Sequence, residues 1–149
     1  MATEARSTTH RLAEVLSHFP EVLDSLTMIH TAARTAISTR LYELCRLRVA
    51  MLLGTPDEID TSELDEYTIE AIPNWPLHEA FSDTERACLA FTEQFVIDVA
   101  SISNDLATTV TDHLGGDGFA NFVHALLVLE QRQRLRLIWD RLDIKGGFS

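Results

Sequence analysis

The side chains in this sequence best suited to chemistry are a glutamate between two arginines, a histidine in an apolar run and a tryptophan between prolines. Glu43 lies within one helical turn of both Arg40 and Arg46, in a stretch that is otherwise apolar. A carboxylate in that setting works in one of two ways. It is an acid or base facing a pocket, its protonation set by burial and by the arginines, or it is half of a structural ion pair. His124, among Phe122, Val123, Leu126 and Leu127, is either a second acid-base group and anchor for a substrate carboxylate or a satisfied core histidine. Trp75, in Pro73-Asn74-Trp75-Pro76, either closes over a pocket or plugs the space between helices. The one basic concentration, Gln131-Arg132-Gln133-Arg134-Leu135-Arg136, suits an anionic ligand, an acidic segment of a neighbouring subunit or a polar outer face.

Other chemistries lack their residues. His10, His18, His30, His78 and His113 are scattered, and none forms the i, i+4 pair with a nearby carboxylate that a zinc helix shows. The acidic run from Asp57 to Glu70 lacks the glycine and the ligand spacing of a calcium loop and reads as a solvated face. Gly115-Gly116-Asp117-Gly118 follows a helix rather than a strand, so it is a turn and not a phosphate loop. No metal and no cofactor are expected. The two cysteines, Cys45 and Cys88, each sit in an apolar helical pattern, which predicts buried, unreactive thiols in a reducing compartment.

The elements that position these residues are helical throughout. No segment combines β-branched alternation with hairpin turns, so the expected class is all-α. A first helix covers Thr9 to His18, with Leu12, Val15, Leu16 and Phe19 facing inward, and Pro20 opens a second that runs to about Ala36. A third, from Ser38 to Leu53, has a serine cap and ends at Gly54. It is apolar on nearly every side, which predicts burial among other helices or subunits. A short acidic helix from Ser62 to Ile72 follows. Ser82-Asp83-Thr84-Glu85 reads as a capping box for a helix to about Ala100. A short helix spans Asn104 to Leu114, and a long one starts near Gly118 and reaches Trp139 or Leu142 with a stripe of Phe122, Leu126, Leu129, Leu135, Ile138 and Leu142.

A chain of 149 residues, 46% hydrophobic and 23% charged, is sized for one domain that builds its own core. A single helical domain over residues 1–149 is expected, with a frayed tail from about residue 144. The formal charge of −11 opposes binding to nucleic acid. The N-terminus has no apolar signal region and no apolar run is long enough to span a bilayer, so no membrane partner and a cytoplasmic location are expected.

The stretch Arg40-Leu41-Tyr42-Glu43-Leu44-Cys45-Arg46-Leu47-Arg48-Val49-Ala50-Met51-Leu52-Leu53-Gly54 resembles the signature helix of the alkylhydroperoxidase D and carboxymuconolactone decarboxylase superfamily. Asn74-Trp75 followed by Phe81-Ser82-Asp83-Thr84-Glu85-Arg86-Ala87 and the arginine-rich end of the last helix resemble it too, so the likeness runs from Arg34 to Leu142. It implies a compact helical bundle and a homo-oligomer, from dimer to hexamer. In the redox branch of that superfamily a Cys-x-x-Cys pair follows the signature helix, and the helix's glutamate joins a proton relay with the thiols. Here the first-cysteine spacing from Glu43 falls on Thr55, within Thr55-Pro56-Asp57-Glu58, or the cysteine-bearing turn is missing altogether. Thiol peroxidase activity is expected to be absent.

Two functions are then open. One is a cofactor-free enzyme similar to the decarboxylase branch, acting on a small carboxylated or lactone-type metabolite, with Glu43 or His124 as proton donor and Arg46 and Trp75 binding the substrate. The other is a non-catalytic small-molecule binder or assembly protein on the same scaffold. A closed apolar pocket in which Glu43 and His124 converge favours the enzyme. A Glu43 locked against Arg40 or Arg46 favours the scaffold.

Overall fold

The computed structural model describes residues 8–55 and 57–141, apart from the side chains of residues 8–11 and 57. The tail expected from about residue 144, and Leu142 of the last stripe, lie outside the described residues. Within them every regular element is helical: α1 (Thr8–Leu16), α2 (Pro20–Ala36), α3 (Thr39–Leu53), α4 (Asp57–Asp60), α5 (Glu66–Ala71), α6 (Asp83–Asp98) and α7 (Asn104–Arg141), with single 3₁₀ turns at Ile72–Asn74 and Val99–Ser101.

Local chemistry sets the boundaries. Ser38 caps α3 by accepting from the Leu41 amide, and Gly54 ends it in the left-handed region at φ 73°, returning its N–H to the Ala50 carbonyl. Ser82 and Glu85 form the reciprocal capping box at the start of α6. Helix α7 is two limbs in one run, because Gly115 breaks it at φ 76°, ψ 170°, a region open almost only to glycine. The short acidic helix begins at Glu66 rather than Ser62. Asp65 takes the cap, accepting from the Thr68 amide at 2.7 Å, and the Ser62 hydroxyl is used elsewhere.

Helix α3 is the axis on which the rest pack. One side meets α6 and α7 through Tyr42, Cys45, Val49, Cys88, Phe91, Phe122, Leu126 and Leu129. The other side carries Leu44 and Leu47 against Ala71, Ile72, Phe81 and Leu89. Its apolar circumference is therefore satisfied inside one chain, and no subunit is needed to cover it. Helices α1 and α2 lie against α7. Leu12 and Val15 of α1 face inward as expected, but Phe19 is 48% exposed because the chain has already turned toward α2 at that point. Among the described residues no helix is long and apolar enough to cross a membrane.

Candidate functional site

Glu43 and Arg46 project from α3 into a closed group of charges. Arg46 donates from Nη2 and Nε to both oxygens of Glu43, at 2.7 and 3.0 Å. Its Nη1 reaches the Glu58 carboxylate at 2.5 Å and the Glu58 carbonyl at 2.8 Å. Arg136 of α7 pairs with the other oxygen of Glu58. The Ser62 hydroxyl completes Glu43 at 3.0 Å, and Gln133 caps the Arg46 carbonyl at 2.9 Å while its own oxygen accepts from Thr55. Glu43, Arg46, Glu58 and Arg136 are all buried, two carboxylates against two guanidiniums. Such a set tolerates burial because each charge is matched and hydrogen-bonded. Burial alone would push the Glu43 carboxyl up, but the hydrogen bonds and charge of Arg46, with help from Ser62 and Arg34, outweigh it and hold it below its usual range.

The sequence-predicted residues are thus dispersed rather than gathered. Glu43 is locked against Arg46, and Arg46 holds two protein carboxylates where it was expected to hold a substrate. Arg40 goes elsewhere, pairing with Glu85 at 2.6 Å. His124 is exposed and does not share the buried group with Glu43. Phe122, Ala125, Leu126 and Leu129 face the core, and a position two residues past Phe122 points about 200° away from it at 100° per residue. Trp75 is half-buried against the Leu44, Leu47 and Ile72 cluster and donates its indole N–H to Glu93 at 2.6 Å, with Glu93 fixed in turn by Arg48. It plugs a gap between helices.

Glu58 is the residue the sequence reading missed. In sequence it belongs to the acidic run that reads as a solvated face, and Asp60, Glu63, Asp65, Glu66 and Glu70 are exposed, but Glu58 is only 3% exposed. Its spacing was the available signal, since it falls at the second-cysteine position of the motif expected after α3. Thr55, at the first, bonds Gln133. The basic run also splits: Gln133 and Arg136 are buried, Arg132 is half-buried, and Arg134 turns outward to Glu130.

Both cysteines are free and buried. Burial pushes the Cys45 thiol up to about 12, against a hydrogen bond from Thr92, and burial together with Cys45 and Glu85 raises Cys88 as well. Neither forms a thiolate near neutral pH. Among the described residues no three His, Cys, Asp or Glu side chains gather to hold a metal ion.

A second feature lies beside the charged group. A cleft of about 260 Å³ opens between α1, α2 and the second limb of α7. Leu12, Leu16, Leu23, Leu26, Val128 and Leu135 form its walls, and His30, Arg34, Arg132 and Arg136 supply its polar surface.

No protein family matches the sequence, and no curated protein does. The fold is similar to the crystal structure of an Agrobacterium tumefaciens protein of unknown function, proposed to be an antioxidant defence protein AhpD, with a TM-score of 0.73 at 16% identity over 85% of this chain and 93% of that one. The chain therefore has the alkylhydroperoxidase D-like fold.

Proposed function

We propose that this chain, which carries the alkylhydroperoxidase D-like fold, is a non-catalytic small-molecule-binding protein. One observation carries the reading. Where a thiol pair and its relay glutamate would stand, Glu43, Arg46, Glu58 and Arg136 form a buried, mutually neutralised group. A proton relay needs a carboxyl whose charge changes during the cycle and an open face toward a reacting atom. Glu43 accepts three hydrogen bonds, two from Arg46 and one from Ser62, and feels the charge of Arg34 as well, so it stays a carboxylate. With His124 on the outer surface, no acid-base pair supports the cofactor-free lyase or isomerase alternative.

Self-association belongs to the same proposal. Val22 and Ile29, seven residues apart on α2, share one face and are each close to half exposed, with Phe19 exposed just before the helix, apolar surface that a dimer or larger assembly would cover. Sedimentation velocity checks it. A cytoplasmic location fits two reduced, buried thiols.

The experiment is turnover of an alkyl hydroperoxide with a dithiol donor. Consumption should equal the protein-free rate, and a disulfide-forming reagent should modify neither cysteine until the protein unfolds. Hydroperoxide loss that disappears in Cys45→Ser or Cys88→Ser would overturn the reading.

A further inference from the structure

The cleft between α1, α2 and α7 has a charge pattern at odds with the rest of the molecule. The chain carries 23 acidic side chains against 12 lysines and arginines, yet among the described residues the cleft is lined by Arg34, Arg132, Arg136 and His30 and by no carboxylate. Arg136 is engaged with Glu58. Arg34 and Arg132 pair with no carboxylate among the described residues. Burial destabilises Arg132 as a cation, and the charges of Arg34 and Arg46 add to that against an opposing contribution from Tyr42. The cleft thus presents a half-buried guanidinium, Arg132, and an exposed one, Arg34, on an otherwise apolar lining, a pair suited to an anion.

The side-chain partner of Arg132 among the described residues sharpens the point. Its Nη1 lies 2.7 Å from Nε2 of His30, and because a guanidinium only donates, that nitrogen accepts. Burial and the nearby Arg132, Arg34 and Arg46 charges push the His30 pKa down to about 4, so the ring is neutral near pH 7 and its proton sits on Nδ1. His30 Nδ1 is buried with no hydrogen-bond partner among the described residues, and so is the hydroxyl of Tyr42, whose ring meets that of His30 edge-on at 6.5 Å. The end of the cleft therefore collects donors and positive charge without acceptors to match.

We propose that this cleft binds a small amphipathic carboxylate, its carboxylate on Arg132 and Arg34 and its apolar body between the leucines of α1, α2 and α7. The assignment names the ligand class for the binding protein proposed above and rests on that reading. At about 260 Å³ the cleft suits a small ligand, of the size of a medium-chain fatty acid or an aryl acid.

Calorimetric titration with octanoate, octan-1-ol and octylamine tests it on the full chain at pH 7. Octanoate should bind at about 0.1 mM or tighter, the alcohol at least 10-fold more weakly, and the amine not at all. Arg132→Met keeps the apolar stem and loses the charge, and should weaken octanoate by about 10- to 100-fold while leaving the alcohol unchanged. Arg34→Gln, at an exposed position, should weaken octanoate in the same direction and covers the case in which Arg132→Met fails to fold. Thr31→Trp, which fills the cleft and keeps both arginines, should abolish binding. Equal affinity for acid and alcohol, or octanoate binding that survives both arginine substitutions, overturns the proposal. So does absence of binding joined to a change of sedimentation in Arg132→Met, which makes the cleft a contact between copies. Binding with chemical conversion of the probe keeps the site and overturns the non-catalytic reading, whereas no binding and no conversion overturns the site and leaves that reading standing.

Discussion

Replacing Glu58 with glutamine removes one negative charge from a set in which no member is more than 7% exposed. Arg46 keeps both of its contacts to Glu43, at 2.7 and 3.0 Å, so the loss falls on its Nη1 and on Arg136. Removing one partner of a buried ion pair costs about 3–5 kcal/mol, since the remaining cation is left without compensation. The amide oxygen still accepts one hydrogen bond, which places Glu58→Gln near about 3 kcal/mol. For a chain of this size each kcal/mol is about 2–4 °C, so the thermal midpoint should fall by about 6–12 °C. Urea unfolding followed by circular dichroism measures the free energy directly. The double variant Glu58→Gln/Arg136→Met removes one charge of each sign, and should recover at least half of the single variant's loss through a coupling of about 1–3 kcal/mol. A single variant within about 0.5 kcal/mol of the parent, or strictly additive effects, would refute the idea that these four groups act as one neutral unit.

Two other expectations follow from local geometry. Gly115 sits at φ 76° and ψ 170° with nothing within 4 Å of where a Cβ would stand, so Gly115→Ala meets only backbone strain and should lower stability by about 1–3 kcal/mol in the same urea assay. For His30 the native pKa of about 4 lies below the model-peptide value of 6.5, so the unfolded chain binds the proton first as the solution is acidified. The stability tied to a neutral His30 is present above about pH 6.5 and is lost as pH falls toward 4. Discounted for the ring's partial exposure, the parent should lose about 1 kcal/mol more than His30→Phe between pH 7 and pH 5, and an identical pH slope in the two proteins would contradict it.

The helices were legible because their signals are local. Pro20 opening α2, Ser38 and Gly54 bounding α3, and Ser82 with Glu85 capping α6 each depend on a few neighbouring residues. The alkylhydroperoxidase D-like fold was legible from the pattern of α3 and the start of α6. The site was only half legible. Glu43 and Arg46 stood out as charges on an apolar helix, but Glu58 looked like its exposed neighbours. Its burial comes from the Gly54 turn, which folds α4 back onto α3, and from Arg136, supplied by a distant helix. His124 was placed by the apolar residues beside it in sequence, and the phase of α7 decided otherwise. The cleft was invisible for a related reason: Arg34, His30 and Arg132 meet only when α2 packs on α7.

The account stands on Glu43 being a permanent anion held by Arg46 rather than a group that gains and loses a proton. Carbon-13 NMR of the glutamate side-chain carboxyls, with the Glu43 signal assigned by its disappearance in Glu43→Gln, follows that charge directly. The signal should stay at its ionised position from pH 8 downward and move only below the ordinary 4.5 of a glutamate. A Glu43 carboxyl that titrates near neutral pH would contradict it.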